Sequence, residues 1–501
     1  MTPLDLVRQR SIKPWLVGVD RTQLLEFAQE RVDQLQDYDR SPSNSTDRPV
    51  IFLAERDPLR FLASFIAASS QPSALFLCNP DWRTQEWQQL YRLVTPTHVW
   101  SQGLPEIPLL AIQPGAIAPS DPLIAGQPRV SLPNSDRACS ILIPTGGTSG
   151  QLRFAVHTWE TLRASVLGMQ AHFGVDRIHS LCVLPLYHVS GLMQFLRSLL
   201  TGGQLCIHDW KRLESGQLPP ISPEDFFLSL VPTQLQRLMQ AEIDPVFLRS
   251  LRAILLGGAP AWEGLLQEAR SRQWPIAPTY GMTETASQVA TLKPAEFLAG
   301  KTGAGRPLPH AQITIHTPTG EPVPAGTVGT IAIHTRSRMV SYFPDRAIER
   351  DSDVSHLEPF IPDDVGYLDN EGYLHLLGRA SDKIITGGEN VFPAEVEAVI
   401  RSTPWVQDVC VLGIDDPTWG QSVVAVYVPS QPEATTEAIQ GAITHQLSRY
   451  KQPKKWIALD QLPRNPQGKI NRSVLHSLIA ARLGNPVNPA TISSEYIPPD
   501  R

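Results

Sequence analysis

Seven short apolar runs divide the first half of the chain, and they limit the fold more than any other feature. They are VIFLA (50–54), SALFLC (73–78), ACSILIP (138–144), SLCVLPL (180–186), GGQLCIHD (202–209), FFLSLVP (226–232) and LRAILLGG (251–258). Runs of this length suit strands buried on both faces, as in parallel sheets covered by helices. Stretches with helical spacing lie between them, such as RTQLLEFAQERVDQLQDY (21–38). The alternation predicts an α/β layer that continues to about residue 290. Residues 105–133 carry seven prolines and no period, and read as a meandering surface crossing.

The pattern changes after residue 303. AQITIHT, GTIAIHT and GYLHLLG are short strands with turn signals between them, so a β-rich subdomain is expected. GRASDK (378–383) is a polar break. Beyond it come an IIT strand, a helix opened by Pro393, the strands DVCVLGI (408–414) and QSVVAVYVP (421–429), a helix over 435–450 and a KKWIALD strand (454–460). The expected fold class is α/β. A large N-terminal α/β domain with a β-rich subdomain (1–379) precedes a small C-terminal α+β domain (380–501).

Charge narrows the function classes. Lys plus Arg is 43 and Asp plus Glu is 49, a net charge of −6. Such a chain is not expected to bind nucleic acid, so any anion must be held by a local site. No run of about 18 apolar residues occurs, so no membrane insertion is expected. The first residues lack the apolar stretch of a signal peptide. Cys78, Cys139, Cys182, Cys206 and Cys410 lack metal-ligand spacing and read as buried free thiols. A reducing, cytoplasmic setting is expected.

Four motifs carry chemistry. PTGGTSGQLRF (144–154) follows a buried strand. Gly146, Gly147 and Gly150 let backbone N–H groups approach an anion, and Thr145, Thr148 and Ser149 add hydroxyl donors. Arg153 adds a fixed positive charge. Phosphate binding and a plain polar turn both fit this loop. It is not a Walker A loop, since no Gly-Lys-Ser/Thr follows at the required spacing.

PTYGMTETASQ (278–288) offers an aromatic face at Tyr280, the small Gly281, a hydroxyl at Thr283 and a hard carboxylate for Mg²⁺ at Glu284. Its plain alternative is a helix N-terminus. In residues 361–397, Asp364 can accept both hydroxyls of a vicinal diol and Arg379 can make a second sugar contact. Gly387 and Gly388 form a tight turn. Asp369–Gly372 reads as a hairpin turn, and Glu395 and Glu397 as charges complementing a helix N-terminus. LPRNPQGKINR (462–472) presents Lys469 on an exposed loop, where most lysines are merely solvated.

Read in order, the four motifs are identified as those of the adenylate-forming superfamily, which includes acyl-CoA synthetases. The resemblance spans roughly residues 50–475. It implies two domains meeting at a hinge, with Asp382 at the hinge position. It also implies ATP, Mg²⁺ and coenzyme A acting on a small-molecule carboxylic acid. The acid would attack the α-phosphate, and a thiol would then displace AMP. By resemblance, Thr145, Thr148, Ser149 and Arg153 contact the phosphates, Thr283 touches the α-phosphate and Glu284 holds Mg²⁺. Tyr280 stacks on adenine beside a glycine-rich wall containing Gly258, while Asp364 and Arg379 bind ribose. Lys469 serves adenylation, and the Gly387–Gly388 loop serves thioester formation. LPLYHVSG (184–191) matches the acyl-pocket segment, placing His188 and Ser190 at the substrate.

Two departures stand out: Leu152-Arg153 where the family has Pro-Lys, and Asp363 where it has Gly before the aspartate. Within the superfamily, YGMTETASQVATL, LPLYHVSG and GGAPA are most similar to o-succinylbenzoate–CoA ligases of menaquinone and phylloquinone synthesis. Another aryl- or fatty-acyl-CoA ligase, or a catalytically weak adenylate-binding protein, is the alternative. The sequence leaves the oligomeric state open.

Overall fold

The computed structural model describes residues 2–10, 15–19, 21–39, 48–102, 138–145, 151–241, 243–344, 358–464 and 470–483. Residues Gly146–Gly150, Lys469 and the proline-rich 105–133 segment lie outside the described residues. The chain divides into two units: residues 1–258, 272–313 and 333–360, and residues 259–271, 314–332 and 361–501.

Two sheets build the first unit. One has eight strands, in the order Leu16–Val17, Leu205–Ile207, His179–Cys182, Phe226–Leu230, Ala253–Leu256, Ile276–Met282, Ser287–Thr291, Arg306–Pro307. Its pairs are parallel as far as Ile276–Met282 and antiparallel beyond. The other has six strands, in the order Ser341–Phe343, Arg153–His157, Ser140–Thr145, Ala74–Leu77, Val50–Ala54, His98–Ser101. Val50–Ala54 and Ala74–Leu77 are buried at every residue, as their unbroken apolar sequence requires. Phe76, Phe154 and Phe343 meet edge to face at 5.2 to 6.4 Å between ring centres, which fixes Ser341–Phe343 on its neighbour. The helix expected over 21–38 forms as Arg21–Asp39.

In the second unit, Asp364–Leu368 and Leu374–Arg379 pair antiparallel. The turn between them forms at Asp369, where Gly372 adopts φ 81°. A five-stranded sheet follows, centred on the long pair Val406–Asp416 and Gly420–Pro429, with helix Pro393–Arg401 packed on it. Glu397 differs from its expected role. It is buried, accepts the Val411 N–H at 2.8 Å and pairs with Arg472 at 3.1 Å, so it braces the sheet and does not serve the helix dipole. All five cysteines are free and buried. Among the described residues, no helix is long and apolar enough to cross a membrane.

Candidate active site

The phosphate-loop motif joins two antiparallel strands. Ser140–Thr145 and Arg153–His157 pair with Thr145 opposite Arg153. Thr145 Oγ1 donates to the Arg153 carbonyl at 3.4 Å. Leu152 exposes an N–H that proline lacks, and Gln89 Oε1 accepts it at 2.9 Å. That departure therefore carries its own compensation. Arg153 lies with its guanidinium carbon 3.4 Å from the centre of the Tyr342 ring, a cation–π contact in which the planar fork lies on the ring.

The Tyr280–Glu284 motif does not open a helix. It ends the strand Ile276–Met282, makes one 3-10 turn at Thr283–Thr285 and returns as the antiparallel strand Ser287–Thr291. Gly281 is required there, because a Cβ would fall 2.1 Å from the Ser287 carbonyl oxygen. The return bends through Ala286 at φ 50° and Ser287 at φ 90°. Such backbone costs of the order of 1–3 kcal/mol per residue and persists only when its surroundings hold it. Five successive carbonyls are held here. Thr283 O accepts from His157 Nε2 at 2.8 Å, Glu284 O from the Met339 N–H at 2.8 Å, and Thr285 O from Ser337 Oγ at 2.8 Å. Ala286 O accepts from Ser165 Oγ at 2.6 Å and Ser287 O from Thr285 Oγ1 at 2.7 Å. His157 is buried, and burial pushes its imidazole down to about 4. It is thus neutral at pH 7, with Nε2 carrying the proton and Nδ1 facing Thr161 Oγ1 at 3.0 Å.

The turn presents Thr283 and Glu284, both half-buried. Glu284 Oε1 accepts from the Tyr342 hydroxyl at 2.8 Å. A half-buried carboxylate of this kind suits a Mg²⁺ that arrives with phosphate ligands and waters. Among the described residues, no group of three His, Cys, Asp or Glu could hold a metal by itself. Tyr280 is 7% exposed, and Gly258 adopts φ +80° after the strand Ala253–Leu256.

His188 and Ser190 begin the helix Val189–Thr201, with His188 at the N-cap and its ring 4.5 Å from that of Tyr187. Further along the same helix, Arg197 is 2% exposed. It donates to Ser287 Oγ at 3.0 Å and Gln288 Oε1 at 2.8 Å. Among the described residues no carboxylate pairs with it, and its Nε has no partner. Burial pulls the guanidinium down to about 10. Burial and then the Arg197 charge push His310 down to about 4. Neither ring nitrogen of His310 nor Gln288 Nε2 has a partner among the described residues. Gly168 leaves room for His310, since a Cβ there would sit 1.7 Å from Nδ1. A buried cation beside polar atoms that lack partners among the described residues is costly unless something compensates it. Sequence reasoning missed Arg197, although an arginine in the mostly apolar stretch GLMQFLRSLL is a visible signal. It also missed His157 and Tyr342, which act through contacts that no local pattern reveals.

In the second unit, Asp364 and Arg379 face each other across the strand pair, with Nε to Oδ1 at 3.5 Å. Asp363 is exposed, and its Oδ2 accepts the Ser381 N–H at 3.1 Å while its carbonyl accepts the Ala380 N–H. The second departure therefore holds the turn leading to Asp382. Asp382 lies 3.8 Å from Arg472 Nε. Gly387 and Gly388 adopt φ 59° and 83°. The Trp419 ring lies against Gly387, where a Cβ would be 3.0 Å from it.

An α/β scaffold with this loop, turn and carboxylate set belongs to the AMP-binding enzyme family. The family model matches residues 47–343, and that of the AMP-binding enzyme C-terminal domain matches residues 395–469. More particularly, the chain is 38% identical over 349 residues to the 2-succinylbenzoate–CoA ligase of Bacillus licheniformis, covering 68% of this chain and 70% of that protein. It is 36% identical over 342 residues to the Bacillus subtilis 2-succinylbenzoate–CoA ligase, covering 68% of each. Among solved structures it resembles the Bacillus subtilis o-succinylbenzoate CoA synthetase (MenE) in complex with the acyl-adenylate intermediate OSB-AMP. There the TM-score is 0.75 at 25% identity, over 94% of this chain and 97% of that one. The same enzyme with ATP and magnesium ion gives 0.73 at 25% identity, over 93% and 98%.

Proposed function

We propose that this chain activates 2-succinylbenzoate with ATP and transfers the acyl group to coenzyme A, a reaction of menaquinone and phylloquinone synthesis. The observation that carries the substrate class is Arg197, a buried cation without a carboxylate partner among the described residues. 2-Succinylbenzoate has two carboxylates. One is consumed by activation, and the other stays charged and needs a cation in a desolvated pocket. The 2-succinylbenzoate–CoA ligases among its relatives support the same reading.

In the first half-reaction a carboxylate oxygen forms a bond to the α-phosphorus and pyrophosphate leaves. Thr145, Gly146, Gly147, Thr148, Ser149, Gly150 and Arg153 bind the phosphates, Thr283 donates to the α-phosphate and Lys469 neutralises charge developing there. Glu284 holds Mg²⁺, which withdraws charge from the phosphate oxygens when bound. Tyr280, Gly258 and Gly281 receive adenine, and Asp364 and Arg379 receive ribose. In the second half-reaction the thiol sulfur bonds to the acyl carbon and AMP leaves. Residues 1–379 and 380–501 act as the two domains about Asp382, and Gly387–Gly388 lines the path of the thiol. His188 and Ser190 contact the acyl group.

ATP–pyrophosphate exchange tests this. Exchange with 2-succinylbenzoate, followed by thioester when coenzyme A is added, is the expected result. Exchange only with benzoate or a fatty acid overturns the substrate and keeps the chemistry.

A further inference from the structure

Met339, Tyr342 and Phe343 tie one short segment to both phosphate-site motifs. Tyr342 pairs with Ala155 on the neighbouring strand, and Phe343 locks the segment into the aromatic core. From this base the Met339 N–H holds the Glu284 carbonyl and the Tyr342 hydroxyl holds Glu284 Oε1 at 2.8 Å. The Tyr342 ring carries the Arg153 guanidinium on its face, 3.4 Å from its centre. A cation over the face draws charge from the ring and makes the phenol a stronger donor.

We infer that Tyr342 is a positioning residue that sets Arg153 and Glu284 at a fixed separation, so that Oε1 stays engaged and Oε2 is aimed at the cation accompanying ATP. This rests on the reading above that ATP and Mg²⁺ bind here. The planar Arg153 guanidinium can lie flat on the ring, which the contact distance shows. Tyr342 itself touches neither the nucleotide nor the acid in this account.

The test uses the full-length chain and the variants Tyr342→Phe, Tyr342→Leu and Glu284→Gln. Mn²⁺ uptake with a non-hydrolysable ATP analogue is followed by electron paramagnetic resonance, alongside the Mg²⁺ dependence of pyrophosphate exchange. Tyr342→Phe keeps the stack and loses the hydrogen bond, so Mn²⁺ affinity should fall roughly 3–10-fold. Analogue binding without metal and thioester formation from supplied acyl-adenylate should stay within about twofold. Tyr342→Leu should lose the stack as well and weaken metal-free analogue binding. Combining Tyr342→Phe with Glu284→Gln should add no further loss of Mn²⁺. Unchanged Mn²⁺ affinity in Tyr342→Phe overturns the inference, as does a parent chain that takes up no Mn²⁺ with the analogue. Absence of exchange with every acid would defeat the functional proposal alone, because the Mn²⁺ comparison still decides on Tyr342.

Discussion

Replacing Arg197 by methionine separates recognition of the acid from chemistry on it. Methionine matches the length of the arginine stem and removes the charge. Burial lowers the guanidinium from 12.5 to about 10. At 1.36 kcal/mol per pH unit, holding this charge in the fold costs about 3 kcal/mol at neutral pH. Arginine keeps its charge throughout the neutral range, so the cost is present there. A bound carboxylate offsets it. Without Arg197 the spectator carboxylate must enter the pocket without a cation, and 3 kcal/mol corresponds to roughly a hundredfold. Steady-state kinetics should show kcat/KM for 2-succinylbenzoate falling about 10²–10³-fold. The same keto acid lacking the ring carboxylate should change by less than about threefold. Thermal unfolding without ligand should leave Tm equal or higher, since the two hydrogen bonds lost, to Ser287 and Gln288, are balanced by relief of the buried charge. Equal losses for the two acids would refute this role.

Four further outcomes are expected. His157 and His310 are held near 4 in the fold against 6.5 when unfolded, so the unfolded chain takes up protons that the fold refuses and stability falls as pH drops below 6.5. Each should remove about 2 kcal/mol by pH 5; urea unfolding at pH 7 and pH 5 measures this, and equal stabilities would contradict it. Gly168→Ala should destabilise by about 1–3 kcal/mol through its clash with His310, and His310→Ala in the same chain should restore part of the loss. Asp363→Gly should free the Ser381 N–H and raise its hydrogen-exchange rate roughly 2–10-fold, while the exchange of buried strand amides stays constant. Lys469→Ala should slow adenylation roughly 10²–10³-fold and spare thioester formation, and equal slowing of both half-reactions would exclude its proposed part.

The sequence disclosed the scaffold because burial imposes itself on composition. VIFLA forms Val50–Ala54 with every residue inside, and LRAILLGG forms a strand only over Ala253–Leu256, where its apolar centre lies. SLCVLPL stops at Cys182, since Pro185 cannot serve a central strand and the chain turns there into the helix begun at His188. TETA has the composition of a helix start, but β-pairing of Ile276–Met282 with Ser287–Thr291 prevails over that local preference. Asp364 and Arg379 stood out in the sequence as candidates, and the register that sets them opposite each other was not legible there. Arg197, His157 and Tyr342 take their roles from partners about 90, 126 and 58 positions away, a range at which single-sequence spacing carries no information.

The turn at Thr283–Ser287 is shaped by donors outside it. His157, Ser165, Ser337 and Met339 come from three separate stretches of chain, and each fixes one carbonyl. The segment is therefore not a portable cassette. Grafting residues 280–292 into a scaffold that lacks these four donors would transfer the letters of the motif and leave its bend behind. Conversely, under the proposed function, changes at Ser287 and Arg197 would leave Glu284 undisturbed, because its carbonyl and those beside it are held by separate donors. Under the proposed function, such a division would let the acid change while the Glu284 carboxylate stays put.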